Sequence, residues 1–154
     1  MKAGEFRSAL VAGNILYISD PQIANGIPHY HIFIKKIGGG YLTTVCCTSQ
    51  FEKNLQHITR VRESLDTLVC IDHETTTNRL HDFTYVNCNN YFSYTETELV
   101  TLNAKRAIPL CGVVTDFEFQ KIINGLLVSR RIDEEFKDEV RGLLNVGFEN
   151  YQSP

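Results

Sequence analysis

Three groups of side chains in this sequence carry chemistry that could act on a polar ligand. His29-x-His31 sets two imidazoles at alternate positions of an aromatic and β-branched run, His29 to Lys35, so both point to one strand face. A metal needs three or four ligands, and no Glu or Cys at a suitable spacing completes the set, so neither metal nor cofactor is expected. The pair reads instead as the polar lining of a cleft or as an ordinary half-exposed strand face. Asn87, Asn89 and Asn90 lie inside the run FTYVNCNNYFSY, Phe83 to Tyr94, where strand alternation turns Val86 and Cys88 one way and Tyr85, Asn87 and Asn89 the other. Asparagine is depleted in strands, so these three mark either a bulge or turn at Asn89-Asn90 or a row of amides lining a polar groove. Arg60 and Arg62 would share a face if His57 to Arg62 were an exposed strand, and could then hold successive phosphates. Edge-strand arginines are also read as solubilising.

Other chemistries find less support. Ser49 has no G-x-S-x-G context, and no phosphate-binding G-x-x-x-x-G-K-[ST] loop is present; the glycines at 38–40 lack a following helix and read as a turn. The five cysteines have no C-x-x-C spacing and mostly occupy apolar runs, as small buried hydrophobes of a reducing compartment do. Adjacent Cys46 and Cys47 must face opposite sides of their strand, which argues against a redox role. No basic-then-apolar leader and no long apolar run occurs, so a cytoplasmic protein without membrane contact is expected. Residues 1–115 carry equal numbers of cationic and anionic side chains, which leaves the net charge of −3 in the C-terminal segment. The total therefore says nothing about a polyanion, whose binding depends on a local patch.

The elements that must position these groups follow from periodicity. At 154 residues and 43% hydrophobic content, one domain is expected. Asn14 to Ser19, His29 to Lys35 and Tyr41 to Cys47 predict a β-meander, with the glycines at 38–40 turning its second hairpin. In the second strand Tyr30, Ile32 and Ile34 share one face and His29, His31 and Phe33 the other. Residues 51–66 are ambiguous between a helical turn at Phe51 to Gln56 and a strand at His57 to Arg62. Thr67 to Ile71 reads as a short apolar strand, 72–82 as a surface loop and 83–92 as another strand. Thr95-x-x-Glu98 and Thr115-x-x-Glu118 are capping-box patterns; after the second, Phe119, Ile122, Ile123 and Leu126 give one apolar face. A further helix begins near Asp133, with Phe136, Val140, Leu143 and Leu144 inward. Strands first and helices last predict an α+β fold, with a barrel over about 10–114 and helices over about 115–146.

The order of these pieces resembles the PemK/MazF-like toxin family of small SH3-like β-barrels. Gly13 to Ile18 (GNILYI) is similar to the family's opening Gly-Asp-Ile/Val strand with Asn for Asp, and Gly26 to Ile34 (GIPHYHIFI) to its Gly-x-Arg-Pro segment and following strand. Thr44 to Ser49 resembles the apolar strand ending in Thr-Ser, Tyr85 to Asn90 the strand ending in Asp-Gln, and Cys111 to Val128 the connection into an amphipathic helix. The resemblance implies metal-independent cleavage of single-stranded RNA by a homodimer, held in check by an antitoxin protein that occupies the RNA groove. It also implies that Thr48, Ser49, Arg60, Arg62, Asn87 and Asn89 contact RNA, with Arg79 a further phosphate ligand, while His29 or His31 supplies acid/base chemistry. The departures fall on the reacting groups. His29 or Tyr30 stands where the family has arginine, and Asn87 and Asn89 stand where it places Arg and Asp; an amide neither exchanges protons near pH 7 nor carries charge. Three readings follow: an endoribonuclease toxin, a catalytically inactive barrel that binds RNA or protein, and a small barrel with no groove.

Overall fold

In a computed structural model of the protein, the β-meander forms as its alternation predicts. The structure describes residues 10–145 apart from 39, 49–50, 75–76, 79 and 81, and only the backbone of 42–48. β1 (Asn14–Ile18), β2 (His29–Ile37) and β3 (Gly40–Thr48) are antiparallel neighbours. Ile37 pairs with Gly40, which leaves a two-residue turn whose first residue, Gly38, has φ of +55°, a region glycine enters without steric cost.

The next stretch departs from the expected strand at His57 to Arg62. Phe51–Arg60 is helix α1, because Phe51, Leu55 and Ile58 recur at i, i+4 and i+7 and Ile58 is fully buried, a gain that an isolated exposed strand would forgo. Arg60 and Arg62 consequently do not share a strand face: Arg60 ends the helix, and Arg62 turns the chain with φ of +57°.

A 3₁₀ turn over Leu65–Thr67 leads into β4 (Leu68–Ile71). The expected strand at 83–92 is broken into β5 (Thr84–Asn87) and β6 (Phe92–Thr95) by a turn at Cys88-Asn89. Helix α2 (Glu96–Lys105), strand β7 (Leu110–Val113) and helices α3 (Asp116–Val128) and α4 (Glu134–Arg141) complete the order. The α+β class therefore holds, although α1 and α2 fall among the strands rather than after them.

The seven strands form one sheet in the order β4-β5-β3-β2-β1-β7, with β6 beside the first half of β3. The sheet curls until its two ends nearly meet. Beyond β4, the Thr77 carbonyl accepts from Val113 N–H of β7 at 2.9 Å, and Asn78 bridges to Gly112, so a two-residue seam stands where a continuous barrel would pair two strands.

Both sheet faces are covered. Ile15, Ile32, Ile34, Val69, Ile71 and Val86 pack under Ile122, Ile123 and Leu126 of α3 and Phe136 and Val140 of α4. Leu16, Ile18, Phe33, Tyr41 and Tyr94 pack with Leu99 of α2 and Ile108. Each such aliphatic side chain contributes about 1.5–3 kcal/mol by leaving water. Helix α3 starts in a complete capping box: Thr115 Oγ1 accepts from Glu118 N–H, and Glu118 Oε1 accepts from Thr115 N–H. Glu118 Oε2 also accepts from Asp72 N–H at 2.7 Å, so the carboxylate that starts the helix holds the loop after β4. No helix among the described residues is long and apolar enough to cross a membrane.

Candidate nucleic-acid interface

Strand β5 and the turn after it carry Val86 and Cys88 into the helix-covered core, both with no exposed surface, and leave Tyr85, Asn87 and Asn89 half-buried. The alternation read from the sequence is thus observed, and so is the turn at the asparagines. Asn87 Oδ1 accepts from Asn89 N–H at 3.0 Å, the local side-chain-to-backbone bond that suits asparagine to a turn. Helix α1 lies beside this turn, with the Phe51 ring stacked on Tyr85 at 4.5 Å between centroids. The turn between α3 and α4 brings up Arg131 as the third side of the site.

These three elements enclose a cleft of about 380 Å³ lined by His57, Ile58, Val61, Asn87, Asn89, Asn90 and Arg131. No lining residue is a carboxylate. Arg131 forms no ion pair among the described residues, so the lining holds a cation with no carboxylate to neutralise it, in a protein whose total is −3. A larger cavity of about 730 Å³, beside α2, has Asp20 and Glu98 in its lining with Lys105 as its cation, and so offers an anionic ligand much less.

Arg130 and Arg131 are adjacent but differently employed. The Arg130 guanidinium donates to the carbonyls of Val61 (3.2 Å) and Arg62 (2.6 Å), and the Arg130 backbone N–H donates to Oε1 of the buried Glu63 at 3.0 Å. It therefore closes the end of α1 onto the α3–α4 turn. Arg131 side chain lies in the cleft and is exposed.

The histidines expected to act as acid and base are elsewhere. His31 has no exposed surface and stands edge-on to the rings of Phe92 (5.7 Å) and Tyr94 (5.9 Å) on the α2 side of the sheet. Burial, then the neighbouring charge of His29, lowers its pKa to about 4, against an opposing pull from Asp20. A neutral, enclosed imidazole of this kind cannot meet a polynucleotide, which corrects the assignment of His31 to the site. His29 is half-buried at the start of β2 with Nδ1 against the Ile27 carbonyl at 2.7 Å, and it is not in the cleft lining. Asp20 Oδ2 accepts from the Tyr94 hydroxyl at 2.8 Å; burial and this bond push that hydroxyl's pKa up.

Of the expected site residues, the cleft lining includes Asn87 and Asn89 and leaves out His29, His31, Arg60 and Arg62, the two arginines being exposed at the end of α1 and just after it. Thr48 ends β3 opposite Tyr85, its side chain outside the described residues; Ser49 and Arg79 lie wholly outside them, as do the side chains of Cys46 and Cys47. Cys88 is buried as expected, but Cys70 is exposed and Cys111 half-buried, because both occupy the end strands of the sheet path. Among the described residues no group of three His, Cys, Asp or Glu side chains is placed to hold a metal ion. His57 and Arg131 were not singled out by their sequence context. His57 and Ile58 lie on α1 and Val61 follows its end, yet nothing local ties them to residues 87–90 or 131.

No protein-family profile and no curated protein matches the chain. Among solved structures it is similar to an endoribonuclease from a mycobacterial species, with a TM-score of 0.47 and 16% identity over 77% of this chain and 88% of that one. At that degree of likeness a functional reading has to stand on the cleft itself.

Proposed function

We propose that the chain binds single-stranded RNA through the asparagine cleft. The observation that carries the reading is a polar cleft free of carboxylates and lined by His57 and by Arg131, which has no ion-pair partner among the described residues, on a protein of net charge −3. An arginine in such a cleft neutralises a phosphate and displaces its counterion. The amide-rich lining from Asn87, Asn89 and Asn90 is polar and uncharged, the surface that the base edges exposed by an unpaired strand meet. The PemK/MazF-like order of the sequence pieces agrees with an RNA ligand, and a homodimer restrained by an antitoxin in the cytoplasm belongs to the same reading.

The presence of His57 in the lining favours a second step, cleavage without metal. Its imidazole would take the 2′-hydroxyl proton as the 2′-oxygen attacks phosphorus, Arg131 would face the phosphorane charge, and the departing 5′-oxygen would take a proton from water. The reaction would leave a 2′,3′-cyclic phosphate and a 5′-hydroxyl, while the imidazolium returns its proton to the hydroxide. Binding and cleavage of a labelled single-stranded RNA by the wild-type chain, Arg131→Ala and His57→Ala test both parts. Arg131→Ala should weaken binding and reduce the salt slope by about 0.7, the value of one phosphate contact on a single strand. His57→Ala should abolish cleavage. Absence of salt-dependent binding by the wild type removes the RNA reading; cleavage surviving His57→Ala removes the second step.

A further inference from the structure

Asn89 looks like a cleft amide, but both ends of its side chain are already engaged. Its Oδ1 accepts from Ser129 Oγ at 2.6 Å, and its Nδ2 donates to Thr67 Oγ1 at 2.9 Å. The chain of bonds extends in both directions. Ser129 Oγ accepts from Arg131 N–H at 3.2 Å, and Thr67 Oγ1 donates to the Ser64 carbonyl at 2.6 Å. Every hydroxyl and amide in the series donates one way and accepts the other, an arrangement in which each bond polarises the next. Ser129 and Thr67 have no exposed surface, so neither can touch a ligand.

From this geometry we propose that Thr67, Asn89 and Ser129 form a positioning relay that sets Arg131 in the cleft. The inference rests on the RNA-binding reading and assigns to Asn89 a role different from strand contact. The backbone of Arg131 hangs on Ser129, Ser129 on the β5–β6 turn through Asn89, and that turn on the 3₁₀ segment before β4 through Thr67. Cys88 N–H to the Thr67 carbonyl at 2.7 Å gives the last joint a second bond, so the turn and the 3₁₀ segment move as one piece.

The test is a set of RNA affinities as a function of salt for the wild-type chain, Thr67→Val, Ser129→Ala, Arg131→Ala and the two double variants with Arg131→Ala. A thermal midpoint is measured for each. Thr67→Val and Ser129→Ala should each weaken binding by roughly threefold to tenfold, on the order of one hydrogen bond. In the Arg131→Ala background neither should have further effect, and both single variants should show the reduced salt slope of Arg131→Ala. Thr67→Ser, which keeps the hydroxyl, should restore wild-type binding. A general loosening of the fold would lower the thermal midpoint and add to Arg131→Ala, and additivity of that kind overturns the relay. Should Thr67→Val not fold, Ser129→Ala carries the same comparison. Failure of the wild type to bind RNA removes the binding reading and the relay together, whereas binding with additive effects removes the relay alone.

Discussion

Two neighbouring arginines and one enclosed histidine show how little a residue's type says about its work. Arg130 spends its guanidinium on the carbonyls that end α1, so Arg130→Ala should lower stability by about 1 kcal/mol and leave the salt dependence of RNA binding unchanged. Chemical denaturation beside a salt titration separates this from Arg131→Ala, and a changed salt slope for Arg130→Ala would contradict the division of roles. His31 makes a prediction about acid stability. Its folded pKa of about 4 lies below the ordinary 6.5, mainly through burial and secondarily through His29, with Asp20 opposing. Between those values the unfolded chain binds a proton that the folded chain refuses, so stability is complete above pH 6.5 and falls as pH is lowered to 4. The full difference is about 3 kcal/mol. His31→Phe, an aromatic replacement beside Phe92 and Tyr94, should lose less stability than wild type between pH 7 and 4.5 in urea titrations. Parallel pH profiles would show that the imidazole's proton plays no part.

Helix α3 reaches the cleft's supporting turn through a residue with no side chain. A β-carbon on Gly125 would lie 2.8 Å from the Asp66 carbonyl oxygen and 2.8 Å from Cys88 Sγ, both fixed beneath the helix. Alanine is the better helix former by about 1 kcal/mol, but backbone at 2.8 Å cannot rotate away as a side chain can. Gly125→Ala should therefore be destabilising by about 1–3 kcal/mol, with a lowered thermal midpoint, as overpacking generally is. An unchanged or raised midpoint would mean that α3 can lift without loss. The helix is well specified locally by its Thr115–Glu118 box and apolar face; its closeness to the β5–β6 turn is a property of the packed structure.

The molecule as a whole depends on the seam that brings the ends of the curled sheet together. Gly112 has φ of +101°, and a β-carbon there would stand 2.3 Å from the Thr77 carbonyl oxygen, the acceptor of Val113 N–H. Gly112→Ala combines backbone strain of about 1–3 kcal/mol with a direct clash, so the seam should open. The expected signature is faster hydrogen exchange at the Val113 amide together with a lower thermal midpoint. Retained protection at Val113 would show that the sheet tolerates the extra atom. The asparagine cleft is elsewhere, walled by α1, the β5–β6 turn and the α3–α4 turn, so a mild opening of the seam should reach RNA binding only through overall stability.

Local pattern was enough for the meander, the glycine turn, the α+β class, the inward-facing Val86 and Cys88, and the Thr115 helix start, because each is set by alternation or capping within a few residues. It misread 57–62, where a six-residue alternation competes with an apolar repeat at i, i+4 and i+7, and burial of Ile58 decides for the helix. It also ran β5 and β6 together, since an asparagine turn inside an aromatic run keeps the appearance of a strand. The sequence by itself determined which segments alternate, where helices start and that Asn87 to Asn90 are exceptional. Only the tertiary structure decided that His31 is enclosed while His57 and Arg131 face the asparagines, because the residues of that cleft lie up to 74 positions apart and meet through the packing of α1, β5 and α3.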